Sequence, residues 1–455
     1  MSYCELFRVI QKIACCMSVA VFATRVWADS GGQESGPWQE EKALAAEIHA
    51  PTFPARVFDI TDYGAKSGGQ VDCSGAIRDA IAACAQGGGG RVRVPDGVYL
   101  TGPIHLQSNV ELHLETRATL KFTTDTQAYL PEVLTRFEGN DCYNYSPLIY
   151  AFGAENVAVT GSGLLDGQAD AGHWWNWKND NRRGELVKMA NANVPVDQRR
   201  FGAGAGLRPD FIEFNCCKNV MVSGVRIRRS PMWEIHPLLC TNVVVRDVDI
   251  YSHGANNDGC DPECCRNVLI DHCLFDTGDD CIAIKSGRNN DGRRLGLPSV
   301  NLIVRDCTMK DGHAGVAIGS EISGSCSNVF VERCIMSSPN LLCALRLKSN
   351  AARGGVLQGI YMRDVQVGLV KDSVLQIDFL YGEGTNGDYL PVARNVHMEN
   401  VTVAHTPRIL DVRGFPGADI SDVTLRKCRF LDVRKPDILR DADVKIEDCE
   451  VQRAG

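Results

Sequence analysis

Residues 242–250 read Asn-Val-Val-Val-Arg-Asp-Val-Asp-Ile, and this stretch decides the fold. Counted from Asn242, apolar side chains stand at positions +1, +3, +6 and +8. Alternation at +1 and +3, and again at +6 and +8, predicts two short strands whose inward side chains follow a period of two. A two-residue turn between them changes the inward phase. The stretch is therefore predicted to form one corner of a larger coil.

The same four offsets recur eight more times in the C-terminal half of the chain. The other sets are Val220, Val222, Val225, Ile227; Val268, Ile270, Cys273, Phe275; Leu302, Val304, Cys307, Met309; Val329, Val331, Cys334, Met336; Ile360, Met362, Val365, Val367; Val396, Met398, Val401, Val403; Val423, Leu425, Cys428, Phe430; and Val444, Ile446, Cys449, Val451. The anchors Asn219, Asn242, Asn267, Asn301 and Asn328 are 23, 25, 34 and 27 residues apart. Such a period holds three short strands and their turns, whereas a leucine-rich repeat needs its own leucine framework and a propeller blade about 40 residues. The pattern predicts an all-β, single-domain, right-handed parallel β-helix.

Cysteines occupy regular places in this repeat. Of the 20 cysteines, 17 follow residue 28. One column fills the +6 position, where other coils carry valine, and a second column lies two residues before the anchor. The first column is Cys273, Cys307, Cys334, Cys428 and Cys449, and the second is Cys217, Cys240, Cys265 and Cys326. Both are predicted to be buried free thiols. A disulfide among Cys73, Cys84 and Cys142 stays open as an alternative.

Two segments lie outside the repeat. Residues 74–86 are predicted to form an amphipathic helix with Ile77, Ala80, Ile81 and Cys84 on one face, ending at the glycines 87–90. A helix here would cover the unpaired strand edges at the N-terminal end of the stack. Residues 168–208 fit no coil and are predicted to form an inserted loop. Its Trp174, Trp175 and Trp177 are either the core of that loop or a platform for a sugar ring.

The chain start predicts export. Residues 1–28 combine Arg8 and Lys12, an apolar stretch from Ile13 to Ala23, and the small-residue pattern Val26-Trp27-Ala28, which is typical of a signal peptide. A buried N-terminal helix is the alternative. The predicted division is a signal peptide (1–28), an N-terminal extension (29–55) and a β-helix catalytic domain (56–455). We expect a secreted or periplasmic protein.

Composition limits the partners. The 455 residues are 44% apolar and 23% charged, as in a globular protein. Beyond residue 28 nothing approaches the ~18 uninterrupted apolar residues of a membrane span, so we expect no membrane partner. Removing residues 1–28 takes away three basic residues and one acidic residue and changes the net charge from −8 to −10. This balance argues against nucleic acid as a partner.

Chemically useful side chains share one phase of four consecutive coils. Measured from the preceding anchor, they are Asp258 at +16, Asp279 and Asp280 at +12 and +13, His313 at +12, and Arg346 and Lys348 at +18 and +20. Since coils stack about 4.8 Å apart, these residues should lie within about 15 Å along the axis. Three close aspartates repel one another, so at least one should keep its proton. A protonated carboxylic acid beside a carboxylate is what glycoside hydrolysis requires.

These residues resemble glycoside hydrolase family 28, the polygalacturonases. Four signatures carry the resemblance: Asn256-Asn257-Asp258-Gly259-Cys260-Asp261, Gly278-Asp279-Asp280-Cys281, Gly312-His313-Ala314-Gly315 and Arg346-Leu347-Lys348. The likeness spans residues 57–410. The sequence departs from the family pattern at Asn257, Cys260 and Ala314.

The resemblance implies hydrolysis of α-1,4-galacturonide bonds in a pectic polysaccharide or oligogalacturonide, with inversion and without metal or cofactor. It implies that Asp279 is the general acid and that Asp258 and Asp280 activate water. His313 would tune the acid, and Arg346 with Lys348 would bind the substrate carboxylate.

Other segments resemble bacterial exo-acting members of the family. They are Gly312 to Ser325, Ser338-Pro339-Asn340, and the surroundings of Lys285, which is counted as a substrate-binding residue. Exo action needs a cleft blocked at one end, and residues 168–208 with Arg288 to Pro298 are the candidate wall. Arg288, Arg293 and Arg294 are candidates to meet a second carboxylate.

Three alternatives stay open. The same scaffold suits a rhamnogalacturonan or xylogalacturonan hydrolase. It also suits a calcium-dependent pectate lyase, in which the aspartates would bind the ion. The last alternative is a non-catalytic carbohydrate-binding β-helix.

Overall fold

Each repeat bends at two residues whose backbone lies in the left-handed region. In the coil quoted above these are Asn242 (φ 59°) and Asp247 (φ 55°). Asparagine, aspartate and glycine adopt this conformation more readily than other residues, and they hold many of these places. The anchor positions with positive φ are Asn156, Asn219, Asn242, Asn267, Asn301, Asn328, Gly359, Asn395 and Asp422, and those five residues later are Gly161, Gly224, Asp247, His272, Asp306, Arg333, Asp364, Asn400 and Lys427. The predicted turn is thus a tight bend at a left-handed residue.

The computed structural model describes residues 36–454, which form three parallel sheets along one stack of coils. The first sheet has 13 strands: Val57–Asp59, Gly90–Val94, Val110–Leu114, Glu155–Gly161, Lys218–Ser223, Thr241–Arg246, Arg266–Asp271, Ser299–Arg305, Cys326–Glu332, Val356–Arg363, Val392–Glu399, Asp419–Arg426 and Val444–Glu447. The second has 12: Gly97–Thr101, Ala118–Phe122, Leu164–Asp166, Arg226–Arg228, Asp249–Ser252, Leu274–Thr277, Thr308–Met309, Ile335–Met336, Gln366–Leu369, Thr402–His405, Arg429–Val433 and Glu450–Arg453.

The third sheet is made of two parts. The N-terminal part has four strands, Ile104–His105, Ile149–Phe152, Ile212–Asn215 and Ile235–Leu238, and the C-terminal part has six, Ile282–Ile284, Ala314–Ile318, Cys343–Lys348, Ser373–Asp378, Arg408–Arg413 and Ile438–Arg440. Parallel bridges from Cys260 to both Ile235 and Ile282 join the two parts. Strand order follows chain order throughout these sheets, and the predicted right-handed parallel β-helix is confirmed.

Register places the predicted inward residues in columns. Val243 pairs with Val220 on one side and with Val268 on the other, and the same column continues to the last coils. Asparagine side chains form a parallel ladder at the corner. Nδ2 of Asn242 donates to Oδ1 of Asn219 (2.8 Å), and Nδ2 of Asn301 donates to Oδ1 of Asn267 (2.9 Å). The repeat therefore fixes both the inward columns and the corner.

The cysteines among the described residues are free, including Cys73, Cys84 and Cys142. Thiols of the two columns contact main-chain carbonyls, as Cys240 does with Phe214 (Sγ to O, 3.0 Å). Burial raises the pKa of Cys240 well above its usual value, so this thiol stays protonated. The predicted columns of buried thiols are confirmed, except that Cys449 is only partly buried.

Four helices lie among the described residues: Pro37–Glu47, Ser74–Gln86, Arg182–Asn191 and Asn289–Leu295. Short 3₁₀ turns span Ile60–Tyr63, Thr126–Tyr129, Trp175–Asn179 and Val196–Gln198. Helix Ser74–Gln86 has the predicted bounds and buries the four predicted side chains. Its capping role stays a prediction. Helix Pro37–Glu47 was not predicted, and it packs Leu44 on the outer face of the first sheet, against Val244, Leu269, Ile303 and Phe330.

A side lobe covers part of the third sheet. It combines the antiparallel hairpin Val133–Phe137 and Asn140–Asn144 with the inserted loop, whose strand Arg200–Phe201 joins the hairpin. Trp174 is 2% exposed and packs edge-on against Tyr129, so loop core describes this tryptophan. The predicted signal peptide lies outside the described residues. No helix of residues 36–454 is long and apolar enough to cross a membrane.

Replacing Asn301 should separate the two roles of an asparagine at the corner, which are its side-chain hydrogen bonds and its left-handed backbone. Both Asn301→Gly and Asn301→Ala remove the bonds to Asn267 and Asn328, but only glycine adopts the left-handed conformation freely. We expect a loss of about 1–3 kcal/mol in unfolding free energy, larger for alanine than for glycine. Urea unfolding measures it. A glycine variant less stable than the alanine variant would contradict a backbone role.

Candidate active site

Four neighbouring coils bring the predicted residues to one place on the third sheet. Asp258 precedes the bridge at Cys260, Asp279 and Asp280 precede strand Ile282–Ile284, and Lys348 ends strand Cys343–Lys348. The strand register aligns Asp258 with Asp280, whereas Lys348 aligns with Lys285 and reaches Asp280 with its long side chain. One oxygen from each of Asp258, Asp279 and Asp280 lies within 4.8 Å of the others. The predicted aspartate cluster is therefore present in the structure.

Two ammonium groups stand between these carboxylates. Nζ of Lys348 lies 2.6 Å from Oδ2 of Asp280, and Nζ of Lys285 lies 3.7 Å from Oδ2 of Asp258. All four side chains are buried. Burial alone would lower the pKa of each lysine, but the carboxylates raise it, Asp280 beside Lys348 and Glu321 with Asp261 beside Lys285. Both lysines are therefore charged at neutral pH.

Asp258 and Asp279 differ in protonation. Burial, and then repulsion from Asp261 and Asp279, raises the pKa of Asp258 well above its ordinary value. Burial also acts on Asp279, but the hydrogen bond and charge of His313 outweigh it and lower the pKa of Asp279. In the free site Asp258 therefore carries a proton while Asp279 is ionised.

His313 forms a close pair with Asp279. Nδ1 of His313 lies 2.7 Å from Oδ1 of Asp279, and the main-chain N–H of His313 donates to the carbonyl of Asp279 (3.1 Å). The hydrogen bond to Asp279 raises the pKa of His313. The His313 side chain is 47% exposed and that of Asp279 is 20% exposed, against 1% for Asp280. This pair marks the open side of the cluster.

Arg346 lies farther from the aspartates than Lys348 does. Nε of Arg346 donates to Oε1 of Gln376 (2.6 Å). The Arg346 guanidinium lies 5.6 Å from the ring centroid of Tyr381, and Nζ of Lys348 lies 5.5 Å from the same centroid. The two predicted substrate-binding cations therefore flank Tyr381, which the sequence did not single out.

A cavity of about 400 Å³ opens over the cluster. Its lining consists of Glu138, Arg183, Trp233, Asn256, Asp258, Asp279, Asp280, Lys285, Arg288, Ser320, Glu321, Lys348, Arg353, Tyr381, Gly382 and Glu383. Glu138 comes from the hairpin, Arg183 from the inserted loop, and Glu383 from the loop after strand Ser373–Asp378. These segments lie outside the sequence repeat, so the repeat did not identify their residues as part of the site.

Ion pairs line this cavity on the side of the hairpin and the inserted loop. Arg183 Nε lies 2.5 Å from Glu138 Oε2, and Arg288 lies 3.4 Å from both Glu138 and Glu383. Of the three arginines predicted to meet a second carboxylate, Arg288 alone lines the cavity. Arg293 instead donates to the carbonyl of Ala352, and Arg294 lies 2.5 Å from Asp141. The predicted wall therefore consists of Arg288 with hairpin and inserted-loop residues.

The departures from the family pattern have structural roles. Asn257 is buried, donates to the carbonyls of Ser230 and Met232, and accepts from the hydroxyl of Ser252. Cys260 and Ala314 are both fully buried. None of the three removes a carboxylate or a cation from the cluster.

The aspartate cluster has the spacing of a cation site, and so do three other acidic groups among residues 36–454. In the aspartate cluster, however, Lys348 and Lys285 already supply positive charge next to Asp280 and Asp258. An added divalent ion would meet repulsion from both ammonium groups. The donor set therefore fits acid–base chemistry better than metal binding.

Comparisons with known proteins agree on one family. Residues 84–410 match the family model described as glycosyl hydrolases family 28. A hyperthermoactive exopolygalacturonase from Thermotoga maritima is 41% identical, with a TM-score of 0.88 over 91% of this chain and 96% of that one. A "Probable polygalacturonase" of Vitis vinifera is 28% identical over 403 residues, 84% of this chain and 76% of the relative. An exo-poly-alpha-D-galacturonosidase of Dickeya chrysanthemi is 28% identical over 77% of this chain and 62% of the relative.

The His313–Asp279 pair predicts a window of pH-dependent stability. Because the pKa of His313 is raised in the folded protein, its pairing stabilises the fold fully at pH values below the usual pKa of 6.5. This stabilisation is lost as the pH rises through the raised pKa. The lowered pKa of Asp279 contributes above 3.8 and is lost as pH falls.

Melting temperatures of the wild type and His313→Gln should therefore differ most between pH 3.8 and 6.5. His173→Gln, which breaks an exposed pair with Asp170, is the control and should change less because water screens it. A His313→Gln effect that does not vary with pH would contradict the pairing.

Proposed function

The chain belongs to glycosyl hydrolases family 28, and from this premise we propose that it hydrolyses α-1,4-galacturonide bonds of polygalacturonate and pectin from a chain end. The observation that carries the proposal is the cluster of Asp258, Asp279 and Asp280 with Lys285 and Lys348 in one cavity. Carboxylates supply the acid and the base, and the cations suit an anionic sugar.

Asp279 is proposed as the general acid, since it lies with His313 on the open side, where the leaving chain departs. In the free site its pKa is lowered by His313, Lys348 and Lys285. A substrate carboxylate bound near the two lysines would neutralise part of that charge and so raise the pKa of Asp279. Binding of the correct anionic sugar would thus load the acid with its proton.

Asp280 is proposed to activate the attacking water, and Asp258 is proposed to hold that water, because Asp258 carries a proton in the free site. Nζ of Lys348 lies 2.6 Å from Oδ2 of Asp280, and Nζ of Lys285 lies 3.7 Å from Oδ2 of Asp258. The spacing within 4.8 Å is shorter than the ~6.5–9.5 Å between carboxyl groups in most inverting enzymes. Inversion is therefore inferred from family membership and not from this separation.

Exo action is supported by the ion pairs that line this cavity and by the 41% identity with an exopolygalacturonase. A chain passing through the cleft would have to cross Glu138, Arg183 and Arg288. Of the alternatives, a calcium-dependent lyase is disfavoured by the two lysines in the cluster, and a non-catalytic β-helix would not need it. Hydrolysis of rhamnogalacturonan or xylogalacturonan is the second candidate activity. Secretion is proposed from residues 1–28 alone.

Early products decide between these activities. Polygalacturonate incubated with the full chain and a chelator should yield small saturated products. Anion-exchange chromatography measures the length of the products, and absorbance detects any unsaturated sugars. Mixed oligomers would mean an open endo-acting cleft, and unsaturated products that need calcium would mean a lyase. Activity on rhamnogalacturonan alone would mean that the substrate is branched pectin.

Asp279→Asn should lower kcat on polygalacturonate by about 10²–10⁴-fold and leave KM nearly unchanged, because it removes a proton donor and keeps the shape. Asp276→Asn is the matched control, since Asp276 lies in the same coil but pairs with His253 outside the cluster. Steady-state rates and the melting temperature are measured together. Near-normal kcat in a folded Asp279→Asn would remove Asp279 from the acid role.

A further inference from the structure

A second, smaller cavity adjoins the active-site cavity. It measures about 150 Å³ and is lined by Phe137, Glu138, Trp177, Lys178, Asp180, Arg183, Gly206, Leu207, Arg208 and Asn256. Glu138, Arg183 and Asn256 line both cavities. These shared residues are the partition between the two spaces.

The partition is an ion pair between the hairpin and the inserted loop. Glu138 lies at the turn of the hairpin with a left-handed backbone (φ 44°) and a buried side chain. Arg183 reaches Oε2 of Glu138 from the inserted loop at 2.5 Å, and Arg288 lies 3.4 Å from the same oxygen. A Cβ at Gly139 would lie 2.7 Å from the main-chain nitrogen of Arg288, so the hairpin turn packs closely against Arg288. The Glu138–Arg183 contact is therefore the part of the wall that joins the hairpin to the inserted loop.

The space behind the partition has the chemistry of a sugar subsite. Trp177 and Phe137 offer aromatic surface, which suits the apolar face of a sugar ring. Lys178 is exposed at the same place and offers a charge for a carboxylate. Arg208 is fixed by hydrogen bonds from Nη2 to Oδ1 of Asn256 (2.7 Å) and from Nη1 to the carbonyl of Pro231 (3.1 Å). The side cavity is thus preformed.

The active-site cavity itself is small. Its volume of about 400 Å³ is near the lower end of the ~300–1,000 Å³ typical of small-molecule sites. It must hold the scissile bond over the aspartates as well as the sugar behind that bond. The room for sugar residues behind that bond is therefore limited.

We propose that the Glu138–Arg183 pair sets the length of the released product. The pair ends the cleft one galacturonate residue behind the scissile bond, so the enzyme releases monogalacturonate. The side cavity is a latent second subsite that a digalacturonate end reaches only when the pair is broken. This inference rests on the proposed exo-hydrolysis and adds the residues that limit it.

The test compares early products from polygalacturonate, because digalacturonate released from a long chain is not also the remainder of that chain. Arg183→Ala should merge the cavities and raise the digalacturonate share of the early product by about tenfold or more. Glu138→Gln keeps the size of the side chain, removes its charge, and should give a smaller rise in the same direction. Arg182→Ala is the matched control, because the adjacent Arg182 pairs with Glu185 on the exposed side of the same helix. Its products should equal those of the wild type.

Each outcome bears on one claim. A wild type that releases digalacturonate alone, or folded Arg183→Ala and Glu138→Gln variants that still release only monogalacturonate, would overturn the partition. Failure of the wild type to cleave polygalacturonate at all would instead overturn the proposed function on which it rests. Melting temperatures show whether each variant is folded. If Arg183→Ala does not fold, Glu138→Gln provides the test.

Discussion

The left-handed residue at the corner of each coil, an asparagine in most coils, is the constraint on which the rest depends. It turns the chain from the third sheet into the first, and its side-chain amide bonds to the corresponding asparagine of the next coil, as between Asn242 and Asn219. The ladder keeps successive coils in register, and register determines which side chains stack. Residues in the same phase are then neighbours about 4.8 Å apart however far apart they are in sequence. The catalytic cluster is one result of this geometry.

Much of the fold could be predicted because the repeat is a local pattern. The offsets after Asn242 predicted the strands, the inward columns and the thiol columns, and the common phase of Asp258, Asp279 and Asp280 predicted the aspartate cluster. The two helices illustrate the limit. Ser74–Gln86 has an amphipathic period, whereas Pro37–Glu47 is recognisable only by what it packs on, a surface made of residues two hundred positions later.

The candidate site was predictable in its carboxylates and not in its walls. Glu138, Tyr381 and Glu383 come from a hairpin and a loop whose positions depend on tertiary packing. The protonation of the carboxyl groups could not be predicted either, since it depends on burial and on distances to neighbouring charges. Burial raises the pKa of Asp261 to about 8 and raises that of Asp258 well above its usual value, whereas the pKa of Glu321 is lowered, so Glu321 is the main ionised partner of Lys285. A site in a chain of net charge −8 thereby keeps positive charge for an anionic substrate.

Helix Pro37–Glu47 has a consequence for the order of assembly. Trp38 packs edge-on against Phe330 and Tyr361, and Glu40 accepts a hydrogen bond from Asn328, 288 residues away. These partners are made late when the chain grows or crosses a membrane from its N-terminus. Until then the apolar face of the helix has no surface to cover it, and coils can stack without it. Among the helices of residues 36–454, the first to be synthesised therefore docks only after the central coils that it covers have formed.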